Sequence, residues 1–394
     1  MSTFRSAAHR HAEHMDITRG VRSVTEGPFT LGMAGERSAA LAERAAASGT
    51  FGVGGLMLAR GGRVISEAVN AVIVDGVVRD PTAHVERQLI DWYYKNWKRL
   101  DLAEPQELVI FSSLDPCAMC AGAILKAGFN AVSVAYDQGV GIHEQGMRHL
   151  NMHPELWERA DRVFDVFPSN AQHRDFFVPL RNLGIGATVD TDSVIGRSLG
   201  AFTSSFDTIR EAIGSHEGSL GSARRDAGIG AFESLPPGIE LPTTGIGAVQ
   251  TLDRQVLGNI LSDGRACMID QTGRIVLIAK DAQDISPIRS SIMELIRAYT
   301  YMSNSPKYSA LDLPAKSEVS FLVYRAPQAA QDALMQLGAL GSFLESPREA
   351  KAFPLLSYVE GSEARMQEFI SHMSWYYKDH VKVSAGALYS ALRD

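Results

Sequence analysis

His84 and Glu86 stand two residues apart, and Cys117 and Cys120 stand three apart, in the order His84-Val85-Glu86 then Pro116-Cys117-Ala118-Met119-Cys120. One imidazole and two thiolates make a zinc donor set that leaves the fourth position for water, which is how a catalytic zinc differs from a closed structural one. A carboxylate beside the histidine is the base such a site needs for the protons of that water. A purely structural site has no use for it. The bland alternatives are a closed zinc knuckle with Cys267 as fourth ligand and a motif kept without activity; Glu86 argues against both. The chain has three cysteines in all, so a disulfide framework is not expected, and Cys267 reads as a buried inert thiol.

Both pairs need helix ends to reach one point. Residues i and i+2 of a helix point about 200° apart, so His84 and Glu86 can converge only at a helix start. Asp80-Pro81-Thr82 supplies that start, for a helix running through Trp97 and ended before Pro105. Pro116 opens the next helix, which ends near Gly128. Cys117 and Cys120 then share its first turn, where the helix dipole favours thiolate. The apolar run Leu108 to Ser112 between the helices predicts a buried strand that returns the chain to the same sheet edge. Upstream, Glu36 to Ala47 reads as a helix, and Val53 to Leu58 with Arg63 to Ala68 as a hairpin around Arg60-Gly61-Gly62; Ala131 to Ala135 reads as a further strand. Helix, hairpin, helix, strand, helix, strand predicts an α/β chain with a three-layer α/β/α domain.

At 394 residues the chain fits two domains better than one. From about residue 184 to Gly247 it is rich in Gly and Ser, and Leu235-Pro236-Pro237-Gly238 marks a turn or linker. A second pattern follows. Gly273-Arg274-Ile275-Val276 lies 211 residues after Gly62-Arg63-Val64-Ile65, and Leu311-Asp312-Leu313 lies 211 after Leu100-Asp101-Leu102; Glu318 and Pro327 match Glu107 and Pro116 at that offset. Leu295-Ile296 matches Leu89-Ile90 at 206. These matches predict a tandem duplication, with a catalytic domain over 1–190 and a degenerate copy over 191–394; chance identity between two α/β domains is the alternative. The second copy has Ser290 and Ile292 at the places of His84 and Glu86, and Gln328 and Gln331 at those of the cysteines, so it lacks the zinc ligands.

Asp80-Pro81-Thr82-Ala83-His84-Val85-Glu86 and Pro116-Cys117-Ala118-Met119-Cys120-Ala121-Gly122-Ala123-Ile124 closely resemble the cytidine deaminase superfamily, whose signature joins H-x-E to P-C-x-x-C. With His as first ligand, the chain looks like the branch of tRNA adenosine, guanine and fungal-type cytosine deaminases. The resemblance covers roughly residues 36 to 140, with the duplicate as a faint second instance. Val85 stands where that branch usually has alanine, which bears on pocket shape. The resemblance implies a cytidine-deaminase-like fold, a Zn2+ cofactor held by His84, Cys117 and Cys120, and Glu86 as proton carrier. It further implies Asn70 hydrogen-bonding the base, the Ala83 backbone contacting substrate, and Asp137 lining the pocket mouth. Enzymes of this family often assemble as dimers, so the degenerate copy is expected to make a pseudo-dimer within one chain, itself free to form a homodimer.

A net charge of −7 and the absence of lysine between Lys126 and Lys280 disfavour a nucleic-acid partner, which needs clustered cations. The expected substrate is a small nucleobase or nucleoside. A tRNA adenosine deaminase is the alternative, kept open by Arg148, Arg159, Arg162, Arg174 and Arg181. His143 and Glu144 fall in a Gly-rich loop read as solvated, with covering the substrate as their functional alternative. Trp92, Tyr93, Tyr94 and Trp97 are read as packing, and His9, His11 and His14 as a mobile tail. No apolar run is long enough to span a bilayer and no signal peptide is legible, so a cytoplasmic enzyme is expected.

Overall fold

A computed structural model describes residues 18–137, 139–144, 149–167, 191–216, 235–242, 252, 254–305, 308, 311, 313–344 and 356–385. The tail histidines His9, His11 and His14, and Arg148, Arg174 and Arg181, lie outside these residues.

The first half runs β1 (Val21–Glu26), α1 (Leu31–Ala47), β2 (Gly54–Ala59), β3 (Arg63–Val69), the hairpin β4 (Ile73–Val74) and β5 (Val77–Val78), α2 (Val85–Leu100), β6 (Val109–Leu114), α3 (Ala118–Ala127) and β7 (Asn130–Ala135). It continues through a second hairpin, β8 (His143–Glu144) and β9 (His149–Leu150), to α4 (Trp157–Val163), β10 (Phe164–Val166) and α5 (Thr191–His216). Its sheet has the order β1-β3-β2-β6-β7-β10, antiparallel as far as β6 and parallel beyond it. The second half runs β11 (Ile239–Glu240), α6 (Arg254–Ile260), β12 (Arg265–Ile269), β13 (Ile275–Lys280), α7 (Ser291–Ser303), β14 (Ser320–Arg325), α8 (Ala330–Phe343), β15 (Leu356–Glu360), α9 (Glu363–Ser371), α10 (Trp375–His380) and β16 (Val383–Ala385). Its sheet order is β11-β13-β12-β14-β15-β16, likewise antiparallel as far as β14 and parallel beyond it.

The first sheet is covered on both faces, as the alternation of helix and strand predicts. On one face Leu31, Ala34 and Leu41 of α1 and Val194 of α5 pack over Leu56, Leu58, Val109 and Phe111. On the other, α2 and α3 join a core that runs on into α7 and α8 of the second half without a break. Burial of this apolar surface is the main term holding the halves together. Two glycines let α3 and α8 approach closely: a Cβ on Gly338 would stand 2.0 Å from the Met119 backbone nitrogen, and one on Gly122 would stand 2.5 Å from that of Met335.

Two expectations change. The Gly- and Ser-rich stretch is not all linker, since Thr191–His216 is a 26-residue helix. It lies beyond residue 190 yet packs on the first sheet, where Ser205 Oγ accepts from Gly52 N at 2.7 Å and Arg197 pairs with Glu43 at 2.7 Å. Burial of its apolar face outweighs a composition that disfavours helix. The helix expected from Pro81 starts instead at Val85. Asp80 Oδ1 accepts from Thr82 N and Thr82 Oγ1 at 2.8 and 2.6 Å, closing a turn that competes with the helix.

Candidate active site and metal centre

Two helix starts deliver the candidate donors. β6 is buried throughout and ends at Leu114; Asp115 and Pro116 turn the chain, and Cys117 becomes the N-cap of α3. Cys120 follows in the first turn. His84 is the N-cap of α2, with extended backbone (φ −70°, ψ 155°), and Glu86 lies in that helix's first turn. The two helix starts bring their side chains together. His84 Nδ1 lies 3.6 Å from Cys117 Sγ, and the three ligand atoms of His84, Cys117 and Cys120 lie within 4.8 Å of one another.

The donor set fits zinc. Tetrahedral bonds of about 2.3 Å to sulfur and about 2.0–2.1 Å to nitrogen put ligand atoms roughly 3.6 Å apart, which the histidine–cysteine pair already satisfies. Both cysteines are buried and carry no disulfide. A hydrogen bond from Cys120 pulls the Cys117 thiol well below its ordinary range, helped by His84 and opposed by burial. The N-terminus of α3 acts in the same direction.

Glu86 is buried, and Ser112 Oγ of β6 donates to its Oε1 at 2.8 Å. Burial pushes this carboxyl up, while the hydrogen bonds it accepts, from its own backbone and from Ser112, and the neighbouring His84 oppose the rise. A carboxyl raised in this way holds a proton more readily than an exposed one, the direction a proton carrier requires. Ser112 had no sequence signal, because its role depends on which face of β6 turns toward α2.

Asn70 and Asp137 line the same cavity as Glu86 and the ligands. Asn70 Oδ1 accepts from Thr50 Oγ1 at 2.8 Å and Val72 N at 3.0 Å, so the group it has left to offer is its NH2. Asp137 Oδ1 accepts from Gly139 N at 2.9 Å, and burial pushes its carboxyl up to about 6. Ala83 is buried at the turn in front of α2. Its N–H donates to Asp80 O, and its carbonyl accepts from Ala71 N and Gln88 Nε2, so its backbone groups are spent holding the turn in front of α2.

His143 is not solvated. It is buried against Asp115, with its Nδ1 2.5 Å from Asp115 Oδ1 and its backbone N donating to Oδ2 at 2.8 Å. Burial pulls the imidazole down, but the Asp115 charge and hydrogen bond prevail and raise it. The pair fixes the turn just ahead of Cys117. Trp92 and Tyr93 are buried in the core, as expected, and so is Cys267, whose thiol burial drives far up.

The cavity measures about 390 Å³. Much of its wall comes from residues that carried no motif: Phe51, then Phe202 and Phe206 of α5, and Leu344, Trp375 and Tyr376 of the second half. A second cluster, His153, Glu368 and His372, also brings ligand atoms together. There His153 Nδ1 accepts from Glu155 N and its ring stacks on Phe369 at 4.1 Å. In the neutral ring Nε2 then carries the proton, which suits a contact across the seam better than a metal.

Residues 34–136 match the cytidine and deoxycytidylate deaminase zinc-binding region. The chain is 33% identical over 100 residues to guanine deaminase of Bacillus subtilis, covering 25% of this chain and 60% of that protein. It is 36% identical over 87 residues to tRNA-specific adenosine deaminase of Haemophilus influenzae, covering 22% and 47%. The chain thus spans about half the length of these two relatives. Among solved structures, a guanine deaminase from Nitrosomonas europaea aligns over 44% of this chain and 92% of its own, at 16% identity and a TM-score of 0.27. The matched region spans His84, Glu86, Cys117 and Cys120, and zinc is the cofactor of the family it matches.

Proposed function

We propose that this chain is a zinc-dependent hydrolase that releases ammonia from an amino group on a nucleobase, nucleoside or related small heterocycle. One observation carries the reading: the buried Glu86 carboxylate stands beside three zinc donors in a cavity large enough for a ligand. In the reaction the bond from ring carbon to exocyclic nitrogen breaks and a bond to the oxygen of water forms. The protons of water end on the ring nitrogen and in ammonia, so no oxidant or reductant is consumed.

When held by His84, Cys117 and Cys120, zinc supplies a Lewis acid that makes water reactive at neutral pH. Ser112 fixes Oε1 of Glu86 and leaves Oε2 to take the proton of water. Glu86 then delivers protons to the ring nitrogen and to the leaving amine. Asn70 offers its NH2 to an acceptor on the ring, and Asp137 faces the ring from the loop after β7. Use of Cys117 and Cys120 as thiolates agrees with a cytoplasmic location.

The second half supports a reading as a degenerate copy forming a pseudo-dimer with the first. Met57 pairs with Ile110 and with Ser66, and 211 residues later Met268 pairs with Phe321 and with Leu277. The register shift between Met57 and Leu58 recurs between Met268 and Ile269. Ser290 caps α7 as His84 caps α2. The turn after β14 is one residue longer than that after β6, so Ala329, not Gln328, sits at the place of Cys117, and Asp332 at that of Cys120. On this reading the chain divides between a catalytic and a degenerate unit, with α5 packed on the first.

A tRNA adenosine deaminase is the second reading, favoured by the identity to the Haemophilus influenzae protein. Ammonia release from zinc-quantified protein tests both, against guanine, cytosine, adenine, their nucleosides and an anticodon stem-loop with adenosine at the wobble position. Release from a base or nucleoside, abolished in Glu86→Ala with zinc retained, is the expected result. Release from the stem-loop alone would replace it with the second reading.

A further inference from the structure

The cavity beside the zinc donors extends beyond what a bare heterocycle would touch. Its reactive end holds Asn70, His84, Glu86 and Cys117. The rest of its wall includes two aromatic groups from separate parts of the chain. In the first, Phe206 lies 6.1 Å from Phe51 and 5.6 Å from Phe202, ring centre to ring centre. In the second, Trp375 meets Tyr376 edge-on at 6.1 Å, and Tyr376 stacks on His380 at 4.7 Å.

The second group is held rigid before any ligand arrives. Tyr376 Oη donates to Gly341 O at 3.1 Å, and His380 Nδ1 donates to Tyr376 O at 2.8 Å. Yet Trp375 keeps 56% of its surface exposed and Phe206 keeps 37%. Large exposed aromatics at the wall of a cavity mark a surface that gains by being covered. Their continuity with the zinc donors makes the covering group part of the substrate.

Charge narrows the class. The acids Glu86, Asp115 and Asp137 line the cavity, and among the described residues no lysine or arginine does. A phosphate would meet carboxylates and aromatic faces there, without the guanidinium or ammonium that normally holds it.

We infer that the substrate is an amino-heterocycle that carries no phosphate and bears an aromatic or other apolar substituent, which lies against Phe206 and Trp375 while the ring sits at Glu86. This rests on the deaminase reading for the orientation of the ring. It gives the second half a direct part in specificity through α10.

The test uses the full-length, zinc-loaded Glu86→Gln protein, so that ligands bind without turnover. For guanine, cytosine and adenine in turn, binding is measured for the bare base, the nucleoside, the nucleoside 5′-monophosphate and derivatives benzylated at a ring nitrogen. For at least one base, a benzyl derivative should bind roughly tenfold or more tightly than the bare base, with the monophosphate weakest. Trp375→Ala and Phe206→Ala, both at exposed positions, should each collapse the ratio of benzyl to bare-base affinity toward one. A monophosphate or bare base that binds as tightly as every benzyl form overturns the inference, as does a ratio that survives both substitutions or no binding of any benzyl form. Ammonia release by the unsubstituted protein is scored separately. Turnover of bare bases without a benzyl preference keeps the deaminase and discards this pocket. A benzyl preference without turnover of any compound does the reverse.

Discussion

Arg297 of the second half donates from Nε to Asp80 Oδ2 at 2.9 Å across 217 residues of sequence, and both side chains are nearly or fully buried. The other oxygen of Asp80 closes the turn that leads into His84. Arg297 also donates to Glu294 at 3.0 Å. The second half is therefore bonded to the element that presents the first metal donor. Replacing Arg297 with Met leaves Asp80 and Glu294 short of a partner in the interior, a loss of about 3–5 kcal/mol. Denaturant unfolding should show that loss, and a zinc titration should show weakened binding in the same variant. Stability and zinc affinity equal to those of the parent would mean that the turn holds itself.

Ser112→Ala removes the hydrogen bond that Ser112 Oγ donates to Oε1 of Glu86. A hydrogen bond to a charged group is worth about 1.5–3 kcal/mol, so kcat should fall roughly tenfold to a hundredfold with zinc content unchanged. Steady-state kinetics beside metal analysis checks this. An unaltered kcat would show that Glu86 needs no orienting partner.

Gly338→Ala places a Cβ against the backbone of Ala118 and Met119, between the two cysteine donors. Backbone cannot step aside as a flexible side chain can. The substitution should cost about 1–3 kcal/mol and loosen zinc retention during dialysis against a chelator, although Gly338 lies 218 residues from Cys120. Full retention at parental stability would mean that α3 and α8 can part without disturbing the site.

Cys120→Ala should lower bound zinc from one per chain to near none, and Glu86→Ala should leave it at one. Atomic absorption on dialysed protein separates donor from proton carrier. If Cys120→Ala retains a full equivalent, the metal is held elsewhere.

Asp165 carries the pH prediction. It is buried in β10, and burial pushes its carboxyl from 3.8 up to about 7, a rise that the bond from Val166 N and the His143 charge only partly offset. A carboxyl raised in the folded state keeps its proton there while the unfolded chain has lost it. Its contribution is therefore largest below about 4 and falls as pH rises toward about 7. The whole displacement is on the order of 4 kcal/mol. Asp165→Asn removes the titration, so its stability relative to the parent should increase between pH 5 and pH 8. Parallel stability curves for the two proteins over that range would contradict this.

The chemistry of the site was legible in the sequence because it is local. His84 and Glu86 lie on one helix start and Cys117 and Cys120 on another, and a strand of fixed direction joins them. Spacing and helix ends therefore determined the proposed donor set and proton carrier. The hairpin Gly54–Val69, β6 and β7 were equally plain, since each follows from periodicity and turn residues within a short window.

Tertiary structure alone decided the rest. Thr191–His216 became a helix because the outer face of the first sheet offered it a surface to bury against, which its own composition does not announce. Asp80, Ala71 and Gln88 came to share the backbone groups of Ala83. Ser112 met Glu86 through the pleat of β6, and Arg297, Trp375 and Tyr376 reached the site from more than 200 residues away. Local sequence fixes which groups can react; the wall that selects what they react with is assembled by long-range burial, which no short window of residues encodes.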